Sequence, residues 1–238
     1  MYKDMHYRTR VCLDAVVRRL NTQNYGVGSQ QLYGNSVIPN ARNEIVGYFL
    51  KSPADYLMWL DSDMTFPDTV VEELFVMDKD IAGAIYVRKV PPHYPVIINK
   101  DESGVPHGIM VFPEEDYFKV DGIGMGCTLV KRKVFEAMKP PYFAMPRNET
   151  LGRTEGEDLD FCNQAQKLGF EVWANQKVSK WVGHVGSFPF TVQDYYLHRE
   201  RAKEYGINLM GQMLPVDTHE DFMRGYIHRE LETVDAKI

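Results

Sequence analysis

Cysteine is scarce in this 238-residue chain: Cys12, Cys127 and Cys162 stand at no spacing that makes a metal-binding pair. Three thiols cannot all pair, which excludes a disulfide-stapled secreted scaffold and points to a reducing compartment with the cysteines as small core residues. No apolar run approaches the roughly 20 residues that span a bilayer, and the opening residues lack the apolar core of a signal peptide. Positive charge is short as well. The 27 Lys and Arg are outnumbered by 33 Asp and Glu, a net charge of −6, and basic residues never cluster beyond a few positions. Broad attraction to a phosphate backbone is thereby excluded, and nucleic acid is not an expected partner. Internal repeats and low-complexity blocks are absent too. The expectation is a cytoplasmic protein, with peripheral contact to a membrane left open.

What remains is an ordinary globular composition, 44% hydrophobic and 25% charged, with a somewhat rich aromatic share of 12%. The length suits one domain or one and a half. Leu13, Val16, Val17 and Leu20 recur at helical spacing, a loop covers 21–28, and a short strand is expected at 30–33. A second amphipathic helix fits 41–50, a strand 56–60, a third helix opens at Pro67-Asp68, and a buried strand follows at 81–86. This βαβ rhythm implies a parallel sheet with helices on both faces, whose ligands lie beyond the carboxyl ends of the strands. From Pro91 to Phe112 the texture is that of hairpins over the sheet edge. Strands at 117–123, 128–131, 171–174 and 179–185, a lid-like loop at 140–147 and a helix at 157–168 complete a body of residues 1–186. Residues 187–238 read as a helical extension, in which Phe222, Met223, Tyr226, Ile227 and Leu231 form a stripe that packs on the body or on a second subunit.

Three clusters carry chemistry. Asp61-Ser62-Asp63 ends the apolar run 56–60, so two carboxylates lie where a buried strand meets solvent. Mg²⁺ or Mn²⁺ takes such oxygen ligands and shares them with substrate phosphates, although a lone DxD also reads as an acidic turn. Gly156-Glu157-Asp158 opens a helix; Thr154 with Glu157 matches a capping box, while Asp158 lies one turn before Phe161 and Cys162 on an inward face. A carboxylate near apolar surface gains basicity, as a general base requires. His184, flanked by Val182 and Val185, is a core histidine or an added ligand that would favour Mn²⁺ over Mg²⁺. Gly124-Met125-Gly126 allows close backbone approach to a ligand or marks a bulge, and Arg88 with Lys89 offers positive charge near phosphates or a solvated pair.

In order, Ala41-Arg42-Asn43, Asp61-Ser62-Asp63, Gly124-Met125-Gly126, Gly156-Glu157-Asp158 and Lys180-Trp181-Val182-Gly183-His184 resemble family-two glycosyltransferases of the type-A fold, over about 36–186. The resemblance implies a Rossmann-like, mixed but mostly parallel α/β sheet flanked by helices, with a hairpin insert. It implies a nucleoside-diphosphate sugar donor, a UDP-sugar, and a hydroxyl acceptor on a glycan, a lipid-linked carrier or another molecule. Asp63 would bind the metal, Asp61 the ribose or a metal-bound water, and His184 would complete a shell of Asp61, Asp63 and His184. Asp158, beside Glu157, would be the base; Arg42, Asn43, Ser62 and Arg88 would line the donor; Gly124, Met125 and Gly126 would floor the acceptor site, with transfer by inversion. The polar, basic segment 1–10 stands where such enzymes open with an apolar strand, so that strand is not expected here. Two other classes fit parts of the pattern. Leu60-Asp61-Ser62-Asp63-Met64-Thr65 matches the nucleophile motif of haloacid-dehalogenase-like phosphatases, with Asp61 phosphorylated, and a non-catalytic sugar-nucleotide-binding or assembly protein would keep the fold without turnover.

Overall fold

The apolar run Tyr56–Leu60 forms strand β1 at the edge of a five-stranded sheet in the computed structural model, which describes residues 5–32, 36–90, 92–148, 152–186 and 189–204. Two helices precede it, α1 (Tyr7–Thr22) and α2 (Ile38–Lys51), and β2 (Met64–Thr65), α3 (Val70–Phe75) and β3 (Ile81–Ala84) follow. The hairpin region contains β4 (Ile97–Lys100), β5 (Pro106–Gly108), β6 (Tyr117–Val120) and β7 (Gly122–Ile123). Next come β8 (Cys127–Lys131), α4 (Arg132–Ala137), the short pair β9 (Arg147–Asn148) and β10 (Arg153–Thr154), and α5 (Glu157–Lys167). Strand β11 (Val172–Asn175), α6 (Gln176–Ser179), β12 (Gly183–Val185), β13 (Pro189–Thr191) and α7 (Val192–Glu204) end the described chain. One compact unit runs to Tyr195 and a second comprises Tyr196–Ile238.

The main sheet has the order β1-β8-β3-β11-β6. Only β3 and β11 pair in parallel; β1 with β8, β8 with β3, and β11 with β6 are antiparallel. The mostly parallel sheet expected from the sequence is therefore corrected to a mixed one. Helix-strand alternation predicts crossovers, but the hairpin region returns the chain at the end where β1 finishes, so β8 enters between β1 and β3 in the opposite direction.

Helices cover both faces, and the period of β1 shows how. Tyr56, Met58 and Leu60 pack with the cluster that receives Val16 and Leu20 of α1 and Val70 and Leu74 of α3. Trp59 points the other way, into an aromatic chain of Trp59, Phe143, Phe161, Phe135 and Phe49 that joins β1 to α5, α4 and α2. Aromatic pairs of this kind stabilise by about 0.5–1.5 kcal/mol each beyond the area they bury.

Several local expectations change. Residues 30–32 form no strand, and position 33 lies outside the described residues. Thr154 does not cap α5: it pairs with Arg147 in the β9–β10 ladder, and the N-cap is Gly156 without a side-chain bond. The segment 179–185 is divided, because the Asn175 side chain accepts from Val178 N–H and winds α6 before β12 begins. The stripe from Phe222 to Leu231 lies outside the described residues. Among the described residues no helix is long and apolar enough to cross a membrane.

Candidate functional site

The site grows from the end of β1. Asp61 N–H donates to the Gly126 carbonyl at 3.0 Å, carrying the pairing with β8 one residue past the strand, and Met64 N–H closes a turn onto the Asp61 carbonyl at 3.2 Å. Asp63 then lies beside β12, whose Val185 N–H donates to the Asp63 carbonyl at 2.7 Å while His184 pairs with Met64. Far apart in sequence, Asp63 and His184 thus become neighbours through backbone pairing. His184 Nδ1 is 2.9 Å from the Val87 carbonyl, which can only accept, so Nδ1 carries hydrogen. The other nitrogen, Nε2, stands 3.6 Å from Asp63 Oδ1, and Lys89 Nζ donates to Asp63 Oδ2. Burial works against the charge on Asp63, yet the hydrogen bonds and charges of His184 and Lys89 outweigh it and hold the carboxyl down at about 2.

Arg42 organises the other half. Its Nη1 and Nη2 stand 3.4 Å from the two oxygens of Asp61, Nε is 3.6 Å from Glu157 Oε1, and Nη2 is 3.4 Å from Asp158 Oδ1. The guanidinium lies 5.4 Å from the Trp59 ring centre and 5.8 Å from that of Phe143. With a side chain only 6% exposed, Arg42 is a buried counter-ion to three carboxylates. Burial opposes its charge, but Asp61 and Asp158 raise its affinity for the proton above the ordinary guanidinium value. Asp158 Oδ2 accepts from Met125 N–H at 3.1 Å, while Oδ1 is in ion-pair range of Arg42 without hydrogen-bond geometry. Burial first, then the negative charges of Glu157 and Asp61, push the Asp158 carboxyl up to about 7 against the opposing pull of Arg42 and the Met125 N–H.

The remaining predicted residues have more structural surroundings. Gly124, Met125 and Gly126 are buried. A Cβ on Gly124 would meet the Tyr86 hydroxyl at 2.1 Å, and one on Gly126 would meet the same ring at 2.9 Å, while Gly126 N–H donates to that hydroxyl at 3.2 Å. The glycines therefore admit the Tyr86 ring and hydroxyl against the backbone. Asn43 gives Nδ2 to the carbonyls of Pro39 and Phe143 (2.8 and 2.7 Å), and its Oδ1 accepts from the N–H groups of Tyr142 and Phe143 (2.8 and 3.1 Å). Its amide is spent on the loop 140–147 and not on a donor. That loop is also tied to α5, where Asp160 Oδ2 accepts from Ala144 N–H at 3.0 Å, so the lid expected from sequence is a pinned segment. Ser62 is exposed, and its carbonyl accepts from His6 N–H at 2.8 Å. Arg88 is exposed, with its backbone N–H on the Tyr94 carbonyl; the basic side chain that reaches Asp63 is its neighbour Lys89.

Sequence reasoning missed Tyr86. It stacks edge-on against His184 with ring centres 5.3 Å apart, and its hydroxyl spans to the Gly126 backbone, so it joins the Asp63 half to the Asp158 half. Burial, then Asp158 and Asp61, raise its phenol well above the usual range and keep it neutral. Two glycines flanking one buried residue are the signal that a bulky side chain lies against that backbone.

Among the described residues no group of three His, Cys, Asp or Glu side chains is arranged to hold a metal ion. Asp63 Oδ1 and His184 Nε2 are two donors side by side, a set that fits a Mg²⁺ or Mn²⁺ ion taking its other ligands from phosphate and water. Asp61, the expected third donor, faces Arg42.

No family model matches the chain, and no curated protein matches it. Among solved structures it is similar to A197 from STIV, with 20% identity, a TM-score of 0.50, and coverage of 72% of this chain and 78% of that one. A weaker likeness is to GalNAc-T7, solved with UDP, GalNAc and Mn²⁺, at 13% identity and a TM-score of 0.41 over 68% of this chain and 34% of that one. The likeness to A197 is one of fold, a mixed sheet flanked by helices.

Proposed function

We propose that the protein is a metal-dependent, inverting glycosyltransferase that moves a sugar from a nucleoside-diphosphate sugar, a UDP-sugar, to an acceptor hydroxyl. One observation carries this reading: Asp158, a carboxylate pushed up to about 7, is joined through Arg42 to Asp61 at the end of β1, two residues from Asp63 of the Asp63–His184 donor pair. A base poised near neutral pH and a cation site for phosphates are the two parts that direct displacement at an anomeric carbon needs. The order of motifs along the chain supports the same reading.

In this mechanism Asp158 takes the proton of the acceptor hydroxyl as its oxygen bonds to the anomeric carbon, and the bond to the diphosphate breaks with its electron pair going to the leaving oxygen. Arg42 and the Met125 N–H fix the orientation of the carboxylate, and Glu157 and Asp61 add negative charge that favours its taking a proton. Lys89, beside Asp63, supplies positive charge toward the departing phosphates. Mn²⁺ or Mg²⁺, held by Asp63 and His184 with Asp61 on the ribose or a bound water, would neutralise charge growing on the diphosphate when it is present.

A donor screen scored by released nucleoside diphosphate, with and without Mn²⁺, tests the proposal. One donor turned over in a metal-dependent way is expected. Tight donor binding with neither hydrolysis nor transfer would reassign the chain to a binding or assembly role, and a phosphoenzyme trapped on Asp61 would reassign it to the phosphatases.

A further inference from the structure

Helix α5 has a second face with its own chemistry. Leu159, Asn163 and Gln166 recur at helical spacing, roughly a quarter turn around the axis from Asp158, and Glu155 stands just before the helix begins. With Lys100, Lys167 and the β4–β5 hairpin they wall an open cleft of about 440 Å³. That volume lies in the range of small-molecule sites. Leu159 is buried and gives an apolar floor, Pro106 and the side-chain stems add apolar wall, and polar ends come from Lys100, Glu155, Asn163, Gln166 and Lys167.

The polar groups are only loosely committed to one another. Asn163 Nδ2 is 3.4 Å from Glu155 Oε2, and Lys100 Nζ is 3.5 Å from Gln166 Oε1, both at the outer limit of a hydrogen bond. The amide of Asn163 is oriented by that contact, since turning it would set oxygen against carboxylate. Among the described residues neither Lys100 nor Lys167 forms an ion pair with a carboxylate, whereas Lys89, Lys119, Lys131, Lys133 and Lys177 each do. Two ammoniums against the single carboxylate of Glu155 leave this cleft net positive in a chain of net charge −6, a local preference for an anion. A carboxylate and two amides alongside them suit hydroxyl groups, which both donate and accept. Glu155 Oε1 already accepts from Asn148 Nδ2, and Gln166 Nε2 is 3.4 Å from the Val120 carbonyl and 3.3 Å from Asp121 Oδ1, so the groups an apolar ligand would leave least satisfied are the two ammoniums, Glu155 Oε2 and the Asn163 amide.

We infer that this cleft binds a saccharide bearing an anionic group, with its hydroxyls on Glu155, Asn163 and Gln166 and its carboxylate or phosphate between Lys100 and Lys167. If the chain is a glycosyltransferase this ligand is the acceptor, a role that rests on that reading; the binding itself does not. Because the cleft and Asp158 belong to one rigid helix, a ligand seated in it is held at a fixed offset from the base.

The test is calorimetric titration of the full chain with five probes: a hexuronate disaccharide, its neutral hexose counterpart, a hexose phosphate, the free hexose and inorganic phosphate. Either the uronate or the sugar phosphate should bind about tenfold or more tighter than its neutral counterpart, the margin of one charge-assisted contact, and which of the two does so identifies the anion. The double variant Lys100→Gln, Lys167→Gln should erase the preference while keeping the wild-type melting temperature. Asp63→Ala, which disables the donor side, should leave it intact, so failure of the transferase reading would not remove the cleft. Equal binding of anionic and neutral sugars would overturn the inference. So would phosphate binding as tightly as the sugars, or no sugar binding up to about 10 mM.

Discussion

Arg42 is the only described cation within ion-pair distance of Asp158, and it serves Asp61 and Glu157 at the same time. One positive charge thus stands among three carboxylates. The balance leaves Asp158 easier to protonate than an ordinary aspartate although an arginine is beside it.

Replacing Asp158 by Asn keeps its size and its contact with the Met125 N–H but removes its ability to take a proton. Donor affinity should survive, and turnover should fall by about 10² to 10⁴. In the wild type the rate should rise with pH through about 7, and this limb should vanish in Asp158→Asn. Glu157→Gln should act more weakly on turnover. Steady-state kinetics on both variants check this, and a larger loss in Glu157→Gln would move the base one residue upstream.

The same carboxyl makes a stability prediction. Its pKa is raised on folding, so the stability it contributes is full below the ordinary aspartate range and is lost as pH rises through about 7. Asp158→Asn should therefore gain stability relative to wild type between pH 5 and pH 8, read by urea unfolding at both values.

Asp63 has the opposite sign. With its carboxyl held at about 2, its stabilisation is present above the ordinary range and lost as pH falls toward about 2. Asp63→Asn should flatten that acid limb by on the order of 2 kcal/mol. In calorimetry, chelator should weaken donor binding strongly and Mn²⁺ should restore it; equal affinity in both conditions would remove the metal from the mechanism. His184→Ala should be milder than Asp63→Ala if water fills its place.

Asn43→Ala leaves the Tyr142 and Phe143 backbone groups without their partner. A loss of about 2–3 kcal/mol and faster amide exchange in 140–147 are expected, with donor affinity unchanged. Weakened donor binding at full stability would return Asn43 to the donor site.

Gly124→Ala should destabilise by about 1–3 kcal/mol, because its methyl meets the Tyr86 hydroxyl and ring. A thermal-unfolding double-mutant cycle with Tyr86→Ala should recover part of that loss. Strict additivity would dissociate the two residues.

Much of this was legible in the sequence for reasons that can be named. Helices α1 and α2 and strand β1 announce themselves through periodicity, which depends on local neighbours alone. Asp61, Asp63, Asp158 and His184 were marked by residue type beside apolar runs. Their partners were harder, since Arg42 meets Asp158 and Lys89 meets Asp63 only through the antiparallel entry of β8 and the pairing of β2 with β12. Composition and spacing record neither event. Asn43 illustrates the limit: its motif position suggested a ligand contact, while its four hydrogen bonds go to backbone, three of them to a loop about a hundred residues away.

The position of β8 also governs how the chain assembles. It is the second strand in space but lies at Cys127–Lys131 in sequence, between β1 and β3, which end at Leu60 and Ala84. Until residue 131 has left the ribosome, β1 and β3 have no strand to join them, and the apolar faces of both wait unpaired. High contact order of this kind slows folding and exposes intermediates to aggregation. Fragments that stop short of β8 therefore form none of the main sheet, whereas a split in the exposed β4–β5 turn leaves two pieces, each with strands that only the other can complete.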